Sequence, residues 1–175
     1  ALPISTGDIV VVDRNCPKSV LNAIIMTRAI PVFLQPTRNH YGIIGPIPRE
    51  ALEFERLQSA IRTNPFATNG GDRPRLVAIT QSTYDGILYN ADAIKRMLDG
   101  KVDMLHFDEA WLPHATFHDL YDSMHAIGAG TTRCQDSLVF ATQSTHKVLA
   151  SLSQASQILV QDSESRSLDR ECFNE

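Results

Sequence analysis

IVVVDRNCPKSVLNAIIMTRAIPVFL, Ile9 to Leu34, reads as one strand–helix–strand unit. Ile9 to Asp13 is an unbroken apolar run closed by an acid, the pattern of a strand buried on both faces. Pro17 stands near a helix start, where its fixed φ and missing donor do little harm. Lys18 to Arg28 follows, with Val20, Leu21, Ile24 and Ile25 on one helical face. Pro31 to Leu34 is a short second strand. Strands joined through a helix are parallel, and the alternation continues downstream.

Arg38 to Pro48 is a loop broken by Gly42, Gly45, Pro46 and Pro48. Arg49 to Thr63 is expected to be an amphipathic helix burying Leu52, Leu57, Ala60 and Ile61. Asn69 to Asp72 reads as a mobile turn. Leu76 to Thr80 is the next strand, and Thr83 to Gly86 the turn after it. Asn90 caps a helix through Ala93, Ile94, Met97 and Leu98. Val102 to Phe107 is a strand with Asp108-Glu109 at its carboxyl end, and Asp119 to Ile127 is expected to be helical. Leu138 to Ala141 and Gln157 to Val160 complete the strands. The fold class is therefore α/β, a mostly parallel sheet with helices on both faces, in a single domain over 1–175. No internal repeat or linker stands out.

The 175 residues are 43% apolar and 21% charged, enough to bury a core. A net charge of −4 without a basic block argues against nucleic acid as the main partner. No apolar run suits a bilayer span, and ALPISTGDIVVVD has no signal-peptide pattern. Cys16, Cys134 and Cys172 share no zinc or redox spacing, so reduced thiols in a cytoplasmic protein are expected. Both ends look cut, which predicts an excised segment.

Lys147 carries the first chemical argument. It follows His146, with Ser144, Thr145 and Ser151 close by, at the carboxyl end of the Leu138–Ala141 strand. In α/β sheets, ligands bind outside such ends. A neutral lysine amine condenses with an aldehyde, and the neighbouring hydroxyls and imidazole suit an anion such as phosphate. A lysine in this place is otherwise a solvated surface residue. Asp108 comes second: a carboxylate on the ligand side of the sheet can hold a protonated ring nitrogen, or simply cap the next helix. His106, Asp108, His114 and His118 suggest a metal cluster, since His114 and His118 are four apart, but Pro113 interrupts them and no cysteine joins, so no metal is assigned. Arg38 and Asn39 follow a strand end and would meet a carboxylate, a phosphate or only water. GxGxxG, GxxxxGK and GxSxG are all absent.

HFDEAW, His106 to Trp111, together with STHK, Ser144 to Lys147, resembles the bacterial ornithine, lysine and arginine decarboxylases. These use pyridoxal 5'-phosphate and have the aspartate aminotransferase (fold-type I) architecture. VDRNC (Val12 to Cys16), PTRNHYGIIGPI (Pro36 to Ile47) and TYDGILYN (Thr83 to Asn90) support the resemblance, which covers essentially the whole chain. It implies the central part of the cofactor-binding major domain, with the phosphate loop upstream and the small C-terminal domain outside this chain. It implies that Lys147 bonds to the cofactor aldehyde and that Asp108 keeps the pyridine nitrogen protonated. Ser144 and His146 would contact the phosphate, and Trp111 would lie beside the cofactor. The implied reaction is decarboxylation of lysine, ornithine or arginine to an amine, in a homodimer or larger homo-oligomer. The sequence does not choose among the three substrates. One departure stands out: Pro17 occupies the position where the family usually has a histidine that stacks on the cofactor ring. Two alternatives remain, a non-catalytic module that only binds a partner subunit, or an aminotransferase or lyase on the same fold.

Overall fold

β-Branched residues fill the first strand, IVVVD, and apolar residues most of the interior of the other strands. The computed structural model describes residues 4–67 and 71–174, the side chains of Cys172 and Asn174 excepted. β1 (Ile9–Asp13) is buried at all five positions, as a central parallel strand must be. Around it, β2 (Ile30–Leu34), β3 (Leu76–Thr80), β4 (Met104–Asp108), β5 (Leu138–Gln143) and β6 (Gln157–Gln161) form one sheet in the order β2-β1-β3-β4-β5-β6. The first five strands pair in parallel, while β6 runs antiparallel to β5.

The chain steps from β1 to β2 on one side, then crosses to β3 on the other. Right-handed crossovers therefore place α1 (Lys18–Thr27) on one face and α2 (Phe54–Arg62) and α3 (Ala91–Leu98) on the other. Leu57, Ile61, Ile94 and Leu98 pack with Val11, Val77, Leu105 and Val139 in the main core. The expected α/β architecture with helices on both faces is the observed one.

Several boundaries differ from expectation. The helix expected from Arg49 to Thr63 is split: a 3-10 turn, Arg49–Leu52, ends at extended Glu53 before α2 begins. The strand expected from Val102 starts at Met104 and includes Asp108. No helix spans Asp119 to Ile127, only a 3-10 turn, Asp119–Tyr121, because the following backbone bonds to side chains of other elements. α1 buries no residue, and Ile25 on its expected core face is 73% exposed. The turn expected at Asn69 to Asp72 falls partly outside the described residues.

Asn90 does cap α3, its side chain accepting the Ala93 N–H at 2.7 Å. Among the described residues no helix is long and apolar enough to cross a membrane.

Candidate active site

At β1 the chain turns back on itself, so the carboxyl ends of β1 and β3 part and leave a crevice, the usual ligand site of such sheets. A cavity of about 660 Å³ opens there; it runs between α1 and the sheet face, past Ile24, Val10 and Leu76, and reaches the ends of β4 and β5. Cys16 and Pro17 enter it after β1, Thr80 and Ser82 from β3, Asp108 and Trp111 from β4. Ser144 and Lys147 enter it after β5.

Thr80, Asp108 and Thr142 are register partners in one row across β3, β4 and β5. One carboxylate oxygen of Asp108 accepts the Ala110 N–H at 3.1 Å. One strand away, the single turn α4 (Thr145–Val148) starts at Ser144 and carries Lys147. The Lys147 Nζ lies 5.1 Å from the centre of the Trp111 ring. Tyr84 in turn meets Trp111 edge-on, with centroids 5.5 Å apart. Amine and carboxylate, placed on neighbouring strand ends, thus line one cavity with Ser144 and Trp111.

His146 is outside that lining. Its Nδ1 pairs with the Ala155 carbonyl at 2.7 Å, and its backbone N–H donates to the same oxygen at 3.3 Å. A neutral ring bonded this way carries its proton on Nδ1, so Nε2 can donate to an anion only as the imidazolium. Arg38 donates to the Gly42 carbonyl at 3.0 Å, and Asn39 accepts the N–H groups of Tyr41 and Ile43. Neither residue lines the cavity.

Several polar groups in the cavity lining are uncharged or held toward the neutral form. His106 Nε2 meets Thr142 Oγ1 at 3.0 Å, and burial keeps this imidazole below the ordinary histidine range, with Asp108 opposing. Burial, reinforced by Asp13, pushes the Cys16 thiol up, so it stays protonated. The Oγ atoms of Thr80 and Ser82 are buried and have no hydrogen-bond partner.

The histidines considered for a metal are engaged apart. His114 packs edge-on against Tyr121 at 5.2 Å, and His118 Nδ1 accepts the Leu120 N–H at 3.0 Å. Among the described residues no group of three or more His, Cys, Asp or Glu is arranged to hold a metal ion.

Thr80 and Ser82 were not singled out from the sequence. A signal existed: the tetrapeptide TQST occurs twice, at Thr80–Thr83 and Thr142–Thr145, and it ends two strands that flank Asp108.

Comparison with known proteins gives a consistent pattern. The family model for the Orn/Lys/Arg decarboxylase major domain matches residues 2–175. The chain is 51% identical over 173 residues to the lysine decarboxylase LdcA of Pseudomonas aeruginosa, covering 98% of this chain and 23% of that protein. It is 42% identical over 160 residues to the biodegradative arginine decarboxylase of Escherichia coli, covering 91% and 21%. The solved structure of lysine decarboxylase A from Pseudomonas aeruginosa superposes with a TM-score of 0.88 at 49% identity, covering 98% and 23%. The chain therefore spans under a quarter of the length of these relatives.

Proposed function

The chain belongs to the Orn/Lys/Arg decarboxylase family, and from that membership we propose that it forms the central part of the cofactor-binding domain of a pyridoxal-phosphate-dependent decarboxylase. The observation that carries the reading is the shared cavity of Lys147 and Asp108. Its residues fit the cofactor. The volume of about 660 Å³ suits a small molecule. The buried hydroxyls of Thr80 and Ser82, with no protein partner, offer hydrogen bonds to a polar ligand.

When bound, pyridoxal phosphate supplies an aldehyde and a protonated ring that withdraws electrons from the substrate's α-carbon. Lys147 is the amine placed to bond that aldehyde, and Trp111 braces it. Asp108 is the acceptor for the ring N–H, and its charge keeps the proton there. Cys16, protonated, does not compete as a nucleophile. Ser144, which lines the cavity, is assigned to the phosphate; the contact that the resemblance implies for His146, outside that lining, would need the imidazolium form donating through Nε2.

The proposed substrate is lysine, ornithine or arginine, and the product the corresponding amine. A homodimer or larger homo-oligomer follows from the family resemblance. A cytoplasmic setting accords with the free thiols of Cys16 and Cys134.

Pro17 favours a second reading. It lines the cavity where the resemblance implies a stacking histidine, so a non-catalytic module, or an aminotransferase or lyase on this fold, competes with the decarboxylase. The test uses the full-length protein that carries this segment. Added pyridoxal phosphate should become fixed by borohydride to Lys147, and carbon dioxide should be released from at least one of the three basic amino acids. Label persisting in Lys147→Ala would remove the assignment. Transamination without carbon dioxide would favour the alternative, while Pro17→His should speed turnover if stacking limits it.

A further inference from the structure

Asp108 faces the cavity, so the next residue along the strand direction, Glu109, points away from it. That carboxylate is completely buried. Its Oε1 accepts the Ala126 N–H at 2.6 Å, and its Oε2 accepts Gln143 Nε2 at 2.7 Å. Gln143 Oε1 in turn accepts Gln157 Nε2 at 2.6 Å. Every donor in this relay points toward Glu109, which is the terminal acceptor. The Glu109 N–H adds a bond to the Thr142 carbonyl at 2.9 Å.

The two ends of the relay meet functional positions. Glu109 follows Asp108 directly, and Gln143 directly precedes Ser144 at the head of the turn that carries Lys147. Ala126 is held from the other side too, its carbonyl accepting Lys95 Nζ at 2.7 Å. Lys95 is itself fully buried and paired with Asp92 at 2.9 Å. Burial pushes the Glu109 carboxyl up, opposed by its two donors and, more weakly, by His125 and Lys95. A buried charge is a poor stabiliser where a neutral side chain of the same shape would serve. What a carboxylate does here that an amide cannot is accept at both oxygens, which fixes the direction of the whole relay.

We propose that Glu109 is a positioning residue: through Gln143 and Ala126 its carboxylate sets how Asp108 and Lys147 sit relative to each other across the ends of β4 and β5. The role rests on the cofactor reading given above. It leads to a test by exchange of partners. Gln143→Glu sets two acceptors face to face. Adding Glu109→Gln restores every bond: the new amide donates to Glu at 143, which still accepts from Gln157, and its oxygen still accepts from Ala126.

The experiment follows borohydride-fixed pyridoxal phosphate at Lys147 in the full-length protein, per folded molecule and well below the unfolding temperature. Circular dichroism reports folding. Gln143→Glu should label roughly ten- to a hundredfold more slowly, the scale of a misplaced reacting group. The double variant should return to within about threefold of the parent, the coupling expected of two residues in direct contact. Should Gln143→Glu fail to fold, Glu109→Ala takes its place as the slow variant, and Glu109→Gln, which holds the relay only if both glutamines reverse as far as exposed Gln157, should label at a rate between Glu109→Ala and the parent.

A folded Gln143→Glu that labels at the parent rate overturns the role, and so does a double variant as slow as the single one. A purely structural part for Glu109 would lower the unfolding midpoint and leave the labelling rate per folded molecule untouched. A parent protein that takes no label overturns the cofactor reading, and this role falls with it.

Discussion

Lys147 is held by weak forces, which suits the bond to a cofactor aldehyde proposed for it. Among the described residues no carboxylate lies within ion-pair distance of it, and its recorded neighbour is the face of Trp111. A cation over an indole is worth about 0.5–2 kcal/mol, little enough for a covalent partner to displace. Asp108 is the complementary case, since a neutral side chain there would accept a hydrogen bond without supplying charge. Asp108→Asn in the full-length protein is expected to lower carbon dioxide release by about 10²–10³-fold, the scale of losing one preorganised electrostatic partner. Borohydride fixation at Lys147 should persist in that variant; near-parental turnover would show that the carboxylate does not serve the ring nitrogen. These two residues stood out because each lies in a long, specific motif, Asp108 closing an apolar run and Lys147 following one after five mostly polar residues. Glu109 was not. An acid after a strand end reads as solvated, and only the three-dimensional arrangement of Ala126 and Gln143 reveals its burial. The repeated TQST was visible as letters, but its alignment across β3, β4 and β5 needed the sheet register.

Elements were legible where local pattern and tertiary demand agree. β1 and β3 match their apolar runs residue for residue, and α3 starts at the expected cap. The helix expected after Asp119 fails because its backbone groups are claimed elsewhere. The Ser123 carbonyl accepts from Ala91, the Met124 carbonyl accepts from Gln81, and Ala126 is gripped by Glu109 and Lys95. A local helix would forfeit those bonds, and Ser123 already stands at φ 64. The direction of β6 is likewise absent from its sequence, since an apolar run pairs either way. α1 shows a different conflict. Its last turn closes on Arg28 at φ 55, a left-handed cap that glycine takes without a steric penalty. Arg28→Gly is expected to stabilise the protein by about 1 kcal/mol, the part of the side-chain penalty left after glycine's own entropy cost. Urea unfolding of the two proteins reads it, and a destabilised glycine variant would show that Arg28 makes up the strain through its side chain.

Across the molecule, buried and half-buried acids divide into two groups with opposite effects on stability. At Asp92, Asp99 and Asp103 burial resists ionisation, but the bonds they receive outweigh it and hold all three below the ordinary range. Lys95 and the Thr132 N–H act on Asp92, the N–H groups of Gln135, Asp136 and Ser137 on Asp99, and Arg75, Arg73 and Arg166 on Asp103. At Asp13 and Glu109 burial prevails and the carboxyls are pushed up. For the first group the unfolded chain binds more protons below its carboxylate value of about 3.9, so stability is present above that pH and is lost as pH falls through the folded values. For the second group the folded chain keeps its protons longer, so stability declines as pH rises from about 4 through the raised values. Asp99 separates the two limbs most cleanly, because three backbone donors from the segment leading into β5 converge on it. Asp99→Asn keeps one acceptor oxygen and turns an amide toward a backbone N–H. The variant should be less stable by about 1–3 kcal/mol near neutral pH, the scale of one lost charge-assisted bond. That difference should shrink as the pH falls from about 4 through the lowered folded value, where the parent's own carboxylate becomes protonated. Urea titrations of both proteins at a series of pH values measure it. A gap that stays constant down to the acid limit would mean that Asp99 stabilises the fold by shape alone, and that the acid limb is set by Asp92 and Asp103.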